Sequence, residues 1–259
     1  MKIATWNVNS IRKRLDRVIA WLAQHQPDVL CVQETKVEDD LFPRLEIEAA
    51  GYHVLCHGQK TYNGVALLSR QPARDAVRGF GDGDDDTQAR FLLATLGEVR
   101  VGTFYVPNGQ TVGSDKFAYK LAWLARWRAW LSAHANPEAP LALCGDINVA
   151  PDDRDVYDPA AFENQVLCHP DERKALGEIC RWGLHDVFRQ QHQEPGLYSW
   201  WDYRQLAFPK NLGLRIDLVL CTKSLAARCT AVTIDREARK GQNPSDHAPV
   251  IAEFSSALA

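Results

Sequence analysis

Four apolar runs restrict what this chain can fold into: Val29-Leu30-Cys31-Val32, Val65-Ala66-Leu67-Leu68, Leu141-Ala142-Leu143-Cys144 and Leu218-Val219-Leu220. Each is strand-length and lacks the polar alternation of a strand with one wet face, so each reads as a strand buried on both sides. Such strands need cover above and below. Two amphipathic segments can supply it. Ile11, Leu15, Val18, Ile19 and Leu22 stripe one that stops near Pro27, and Phe117, Leu121, Leu124, Trp127 and Leu131 stripe a predicted helix over Asp115 to His134.

Lys2 to Val8 reads as the first strand and Gly64 to Leu68 as the third. Phe91 to Leu96 and Val99 to Val106 form a hairpin turning at Gly97-Glu98, and a helix starts at Pro170. Leu214 to Cys221, Cys229 to Ile234 and Ala248 to Phe254 complete the strands. Neighbouring strands often lack a helix between them, and no linker or repeat interrupts the chain. The expectation is an α/β fold of mixed sheets covered by helices, as a single domain over all 259 residues.

Seven cysteines, an odd number set mostly in apolar runs, read as reduced core thiols, which favours a cytoplasmic protein; no CxxC pair suggests zinc. No apolar run reaches the ~18 residues of a membrane span, so a soluble protein without membrane partners is expected. Net charge is −3, which excludes a global basic attraction to nucleic acid and requires any polyanion site to be local. Basic residues gather at Arg12-Lys13-Arg14, at Arg70, Arg74 and Arg78, and at Arg236, Arg239 and Lys240, near predicted turns or loops, where solvated surface is the alternative reading. The run from Asp82 to Asp86 is not a calcium hand: counted from Asp82, Thr87 and Leu93 stand where Gly and Glu are needed.

Asn7, Glu34, Asp146, Asn148 and Asp246 each sit at or just past the end of an apolar strand, and strand ends converge on one rim. Carboxylate and amide oxygens are hard ligands suited to Mg²⁺, with Mn²⁺ able to substitute, and Mg²⁺ completes its shell with waters and phosphate oxygens. A phosphate substrate follows. Taken singly, each residue reads more readily as a turn or cap, and the five together weaken that reading. His247, beside Asp246, adds a group able to act as acid, base or cation, and Asp217 faces away from Ile216, Leu218 and Leu220, where it can orient an imidazole. An ion pair with Arg215 is the competing role for Asp217.

Six blocks, Trp6-Asn7-Val8-Asn9, Gln33-Glu34-Thr35-Lys36, Tyr105-Val106-Pro107-Asn108, Gly145-Asp146-Ile147-Asn148, Gly213-Leu214-Arg215-Ile216-Asp217 and Ser245-Asp246-His247, resemble in order the signatures of the exonuclease III family of DNA-repair nucleases. The resemblance spans Lys2 to Phe254. It implies a DNase I-like, four-layer α/β sandwich of two mixed sheets flanked by helices, and a metal-dependent phosphodiesterase. Carried over, Glu34 is the principal metal ligand, with Asn7 beside it, Asp246 in or near the shell, and Asp146 and Asn148 at the metal and the attacking water. His247 with Asp217 binds the scissile phosphate, and Tyr105 stabilises the transition state or leaving oxygen. Whether Asp146, His247 or Tyr105 moves the decisive proton is left open by the sequence.

Trp200 falls where the family places an aromatic wall, and Asn9, Lys36, Tyr62, Asn63, Asn108 and Leu214 match DNA-contact positions. The implied partner is double-stranded DNA with 3′ ends, nicks or abasic lesions, bound by a monomer. Two departures bear on abasic-site cleavage. Gln165-Val166-Leu167-Cys168-His169 replaces a glycine-containing stretch, and Leu214 stands where some family endonucleases use tryptophan. Bulk there favours 3′→5′ exonuclease and 3′-end processing over internal abasic incision. Inositol phosphates or lipids as substrates, and a non-catalytic nucleic-acid-binding regulator, are the competing readings; the intact blocks argue against the latter.

Overall fold

The computed structural model describes residues 1–83 and 87–255. In chain order the elements are β1 (Lys2–Asn7), α1 (Leu15–His25), β2 (Val29–Gln33), α2 (Arg44–Ala49), β3 (His53–His57), β4 (Val65–Ser69), β5 (Arg74–Arg78), β6 (Phe91–Leu96), β7 (Val99–Tyr105), α3 (Asp115–His134) and β8 (Leu141–Asp146). There follow α4 (Pro170–Arg181), β9 (Leu184–Asp186), α5 (Val187–Gln191), β10 (Trp200–Trp201), β11 (Gly213–Leu214), β12 (Asp217–Thr222), α6 (Lys223–Ala226), β13 (Cys229–Ile234) and β14 (Val250–Phe254). One mixed sheet has the order β13-β14-β1-β2-β4-β3 and the other β5-β6-β7-β8-β12-β9. Each contains one parallel pair, β1 with β2 and β7 with β8.

The sheets stack, which explains the runs apolar on every residue. Val29 and Cys31 of β2 point inward and join Ala142, Cys144, Val219 and Cys221 of the opposite sheet in the central core. Leu30 and Val32 point outward against Val18, Trp21 and Leu22 of α1. On the far side, Leu143, Leu218 and Leu220 pack on Trp123, Leu124, Trp127 and Leu131 of α3 and on Leu176 and Ile179 of α4. The result is the expected four-layer sandwich. All seven cysteines are free, and most are buried. No described helix is long and apolar enough to cross a membrane.

Several sequence expectations need correction. His53–His57 is a strand that periodicity did not reveal, because two histidines flank its short apolar centre, so Val65–Ser69 is the fourth strand. Ile11 precedes α1 but is fully buried. On α3, Lys120 lies on the buried face while Leu121 is half-exposed. Arg74–Arg78 is an edge strand of the second sheet, not a turn. Asp84 to Asp86 of the acidic run lie outside the described residues, and Asp82 pairs with Arg126 at 2.7 Å. In two of the basic segments one arginine braces a loop while Arg12, Lys13 and Lys240 remain exposed: Arg14 donates to the Asn9 and Pro244 carbonyls, and buried Arg239 donates to the Ser245 carbonyl at 2.6 Å.

The strand expected from Leu214 to Cys221 is broken, and Ala248 falls outside β14. Leu214 pairs with Trp200 and the long ladder restarts at Asp217. Between them, Arg215 turns its side chain into the interior, with Nε 2.5 Å from Asp155 Oδ1 and Nη2 2.8 Å from Asp186 Oδ2. The Ile216 and Asp217 N–H groups both donate to Ser199 Oγ at 3.1 Å instead of to a strand. Arg215 is therefore occupied by Asp155 and Asp186, and the alternative pairing with Asp217 is not formed. Arg215→Met leaves Asp155 with Arg189 at 2.5 Å and Asp186 partly exposed, so the lost charge-assisted hydrogen bonds are expected to lower unfolding free energy by about 1.5–3 kcal/mol. Urea denaturation checks this, and a loss below about 1 kcal/mol would show the network to be dispensable.

Candidate active site

Both parallel pairs end at the same rim. β1 and β2 finish in register at Asn7 and Gln33, with Glu34 next, and β7 and β8 finish in register at Tyr105 and Asp146. The antiparallel neighbours start there, so Asp217 of β12 lies opposite Asp146, and His247 lies just before β14. Close strand approach demands Gly145, where a Cβ would lie 2.0 Å from the Phe104 carbonyl oxygen.

Asn7 bridges the sheets: its Nδ2 donates to Glu34 Oε1 at 2.8 Å and to Asp146 Oδ2 at 3.0 Å, while its Oδ1 accepts from Asn9 N at 3.0 Å. Ser245 Oγ donates to the Asn7 carbonyl at 2.6 Å, fixing the His247 loop on β1. His247 is buried, with Nδ1 2.8 Å from Asp217 Oδ2 and Nε2 3.7 Å from Asp146 Oδ2. Ser199 Oγ donates to the same Asp217 oxygen at 2.6 Å. Asn148, with φ of 51°, donates its N–H to Asp146 Oδ1 at 2.9 Å, and its Oδ1 accepts from Asn108 Nδ2 at 3.1 Å.

Burial opposes charge on His247, but Asp217, Asp146, the Asp217 hydrogen bond and Asp246 outweigh it and push the imidazole up to about 10. The ring is held as a cation. Burial raises Asp146 to about 7, with His247 opposing and Asp217 and Glu34 adding to the rise. Burial and the charges of Glu34 and Asp146 push the Tyr105 hydroxyl well above its ordinary value, so it stays protonated. Burial would also lift Asp246, but His247 and hydrogen bonds from Trp200 and Asn9 hold it low.

Glu34, Asp146 and His247 each present a potential ligand atom within 4.8 Å of the others. A cationic imidazole is a poor ligand, so the hard-oxygen pair of Glu34 and Asp146 is the part that fits a divalent cation. Asn7 spends its amide on orienting both carboxylates. Asp246 accepts from Asn9 Nδ2 at 3.0 Å and Trp200 Nε1 at 3.1 Å.

Of the other expected contacts, Trp200 is partly exposed beside the site, Asn108 is exposed, and Tyr62 is 68% exposed. Lys36 faces inward, 2.7 Å from Glu34 Oε2 and 2.6 Å from Asn9 Oδ1. Asn63 spends its amide on Gln59 and Gln88, and its carbonyl accepts from Lys36 N at 2.9 Å. Gly64, with φ of 88°, leaves no room for a side chain against Thr35 Oγ1, so this loop braces the Glu34 turn. Leu214 is 0% exposed and buried against Leu167, Ala150 and Ile216, so it presents no surface to a ligand.

Sequence reading missed Ser199, Arg90 and Lys120. Arg90 donates to the Tyr105 carbonyl at 3.0 Å and lies 4.8 Å from its ring. With Tyr62, Gln88, Asn108 and Lys116, Arg90 lines a groove of about 520 Å³ that leads to Tyr105. Only Lys120 carried a signal, as a lysine at helical spacing from Phe117, Trp123 and Trp127.

A family profile described as Endonuclease/Exonuclease/phosphatase family matches residues 4–247. The chain is 36% identical over 266 aligned positions to exodeoxyribonuclease III of Haemophilus influenzae, covering 98% of this chain and 100% of that protein. Its fold superimposes on an AP endonuclease from Archaeoglobus fulgidus with a TM-score of 0.96 and 40% identity, covering 99% of this chain and 100% of that one. It superimposes equally widely on the 3′ phosphatase NExo from Neisseria bound to product DNA hairpin, with a TM-score of 0.95, 41% identity, and coverage of 99% and 100%.

Proposed function

This chain belongs to the endonuclease/exonuclease/phosphatase family, within its exonuclease III group of DNA-repair nucleases, and from that premise we propose that it hydrolyses phosphodiesters at 3′ ends of duplex DNA with Mg²⁺. The observation that carries this reading is the line Asp217, His247, Asp146: a buried cation held by one carboxylate and facing a second whose proton affinity is raised to near neutrality. A cationic His247 binds a phosphoryl oxygen and offsets charge developing on the phosphorane. Asp146, with Oδ1 fixed by the Asn148 N–H, takes the proton of the attacking water on Oδ2. Tyr105, kept protonated, donates to the leaving oxygen. Glu34 and Asp146 would hold the Mg²⁺, which supplies Lewis-acid neutralisation of the phosphate. Asn7 and Lys36 set the Glu34 carboxylate in place. Because both sheets contribute to one site, the whole chain acts as one catalytic unit.

End processing is favoured over internal abasic incision. Leu167 adopts φ of 75°, a left-handed conformation that favours glycine, and its side chain packs inward with Leu214, Val156 and Ile216 in a cluster that supports Trp200. Leu167 and Cys168 of this stretch are buried beneath the aromatic wall, Val166 and His169 are partly exposed, and Gln165 is exposed. Purified protein is expected to resect a 3′-recessed duplex faster than it nicks an internal abasic duplex, and to lose both activities in EDTA. Faster internal incision would reverse the order of preference, and full activity in EDTA would remove the metal from the reaction.

A further inference from the structure

Lys120 and Glu172 form an ion pair in which both side chains are fully buried, between α3 and α4. A buried pair contributes little to stability relative to apolar residues of the same size, so its presence calls for another explanation. All three ammonium hydrogens have an acceptor: the Glu172 carboxylate, the Asn108 carbonyl at 3.1 Å and the Asn148 carbonyl at 2.5 Å. Those two residues are joined again through their side chains, and Asn148 N–H holds Asp146 Oδ1. The other Glu172 oxygen accepts from His169 N at 3.0 Å, closing the capping box at the start of α4.

We infer that Lys120 and Glu172 are positioning residues that hold Asn108 and Asn148 in their reactive arrangement, an assignment that rests on the phosphodiesterase reading above. Neither reaches the rim. Lys120 acts through two backbone carbonyls on separate loops, one following β7 and one following β8. It thereby sets the distance between them, and through Asn148 the direction of Asp146. A flexible apolar residue one atom shorter fills most of the same space but makes no hydrogen bond to either carbonyl.

The test is the double variant Lys120→Met, Glu172→Gln, which removes both buried charges and keeps an oxygen for the His169 N–H. Thermal melting reports folding, and kcat and KM are measured on a 3′-recessed duplex in Mg²⁺. The expected result is a melting temperature within about 5 °C of wild type, a kcat lowered about 10- to 100-fold and a KM changed less than about two-fold. A folded double variant with wild-type kcat overturns the positioning role. Should it not fold, a second charge-free pair, Lys120→Leu with Glu172→Gln, is read the same way: kcat is expected to fall while KM holds, and an unchanged kcat overturns the inference. Absence of activity in wild-type protein would instead defeat the phosphodiesterase reading itself.

Discussion

Asp146→Asn is expected to lower kcat on a 3′-recessed duplex by about 10³-fold or more, with the protein still folded by thermal melting. Asp146 meets three other groups of the site: Asn7 at 3.0 Å, the Asn148 N–H at 2.9 Å and the His247 imidazole at 3.7 Å. Its raised proton affinity comes from burial beside Asp217 and Glu34. A base with this affinity accepts a proton from water near neutral pH and is ready to release it after turnover. Asparagine fills the same volume but has a single acceptor, so it can satisfy either Asn7 or Asn148 and cannot take the proton. A variant retaining more than about a tenth of wild-type kcat would show that Asp146 does not take the decisive proton.

Asp217→Asn is expected to lower kcat/KM by about 10²- to 10⁴-fold and to move the alkaline limb of the pH profile toward neutrality. His247 is raised to about 10 in the fold because, against the cost of burial, Asp217 and Asp146 favour its cation. The cation's own contribution to activity is therefore complete below the ordinary histidine range and fades only as pH rises through about 10. The same direction holds for folding: the stabilisation from the charged ring is present at low and neutral pH and is lost across that alkaline window. The acid limb belongs to Asp146 and rises through about 7, because a carboxylate is needed there and burial resists it. Without Asp217 the ring keeps its burial penalty but loses its nearest counter-charge, so the cation becomes scarce at much lower pH. An alkaline limb that stays in place in Asp217→Asn would sever the link between the pair and the chemistry.

Much of the fold was legible because its causes are local. Runs such as Val29 to Val32 and Leu141 to Cys144 are apolar on successive residues, and only a strand covered on both faces buries them all. The α3 boundaries follow from Ser114, whose side chain accepts from Phe117 N as an N-cap, and from the recurrence of aromatics on one face. His53–His57 escaped because its pattern is that of an edge strand with polar ends. The break before Asp217 escaped because its cause is remote: the acids that draw Arg215 out of the ladder are Asp155 and Asp186, and the hydroxyl that replaces the strand is Ser199.

The candidate site divides in the same way. Residue type and strand-end position singled out Asn7, Glu34, Asp146, Asn148 and Asp246, and the imidazole beside Asp246 with its orienting carboxylate added His247 and Asp217, because five hard-oxygen side chains gathered on one rim suit a metal and a phosphate. The sequence by itself determined that chemistry and the two-sided burial of its scaffold, since both depend on side-chain type and spacing along the chain. Which groups face one another was decided only by tertiary structure. Asn7 turns its amide to two carboxylates from different sheets, and Asp246 turns toward Trp200 and Asn9. Leu214 is buried against Leu167, and Lys120 is enclosed behind Asn108 and Asn148. Those outcomes depend on sheet stacking and loop approach across more than a hundred residues of chain, as between Asn7 and Asp146. Distances of that kind set proton affinity and ligand access, and no local pattern encodes them.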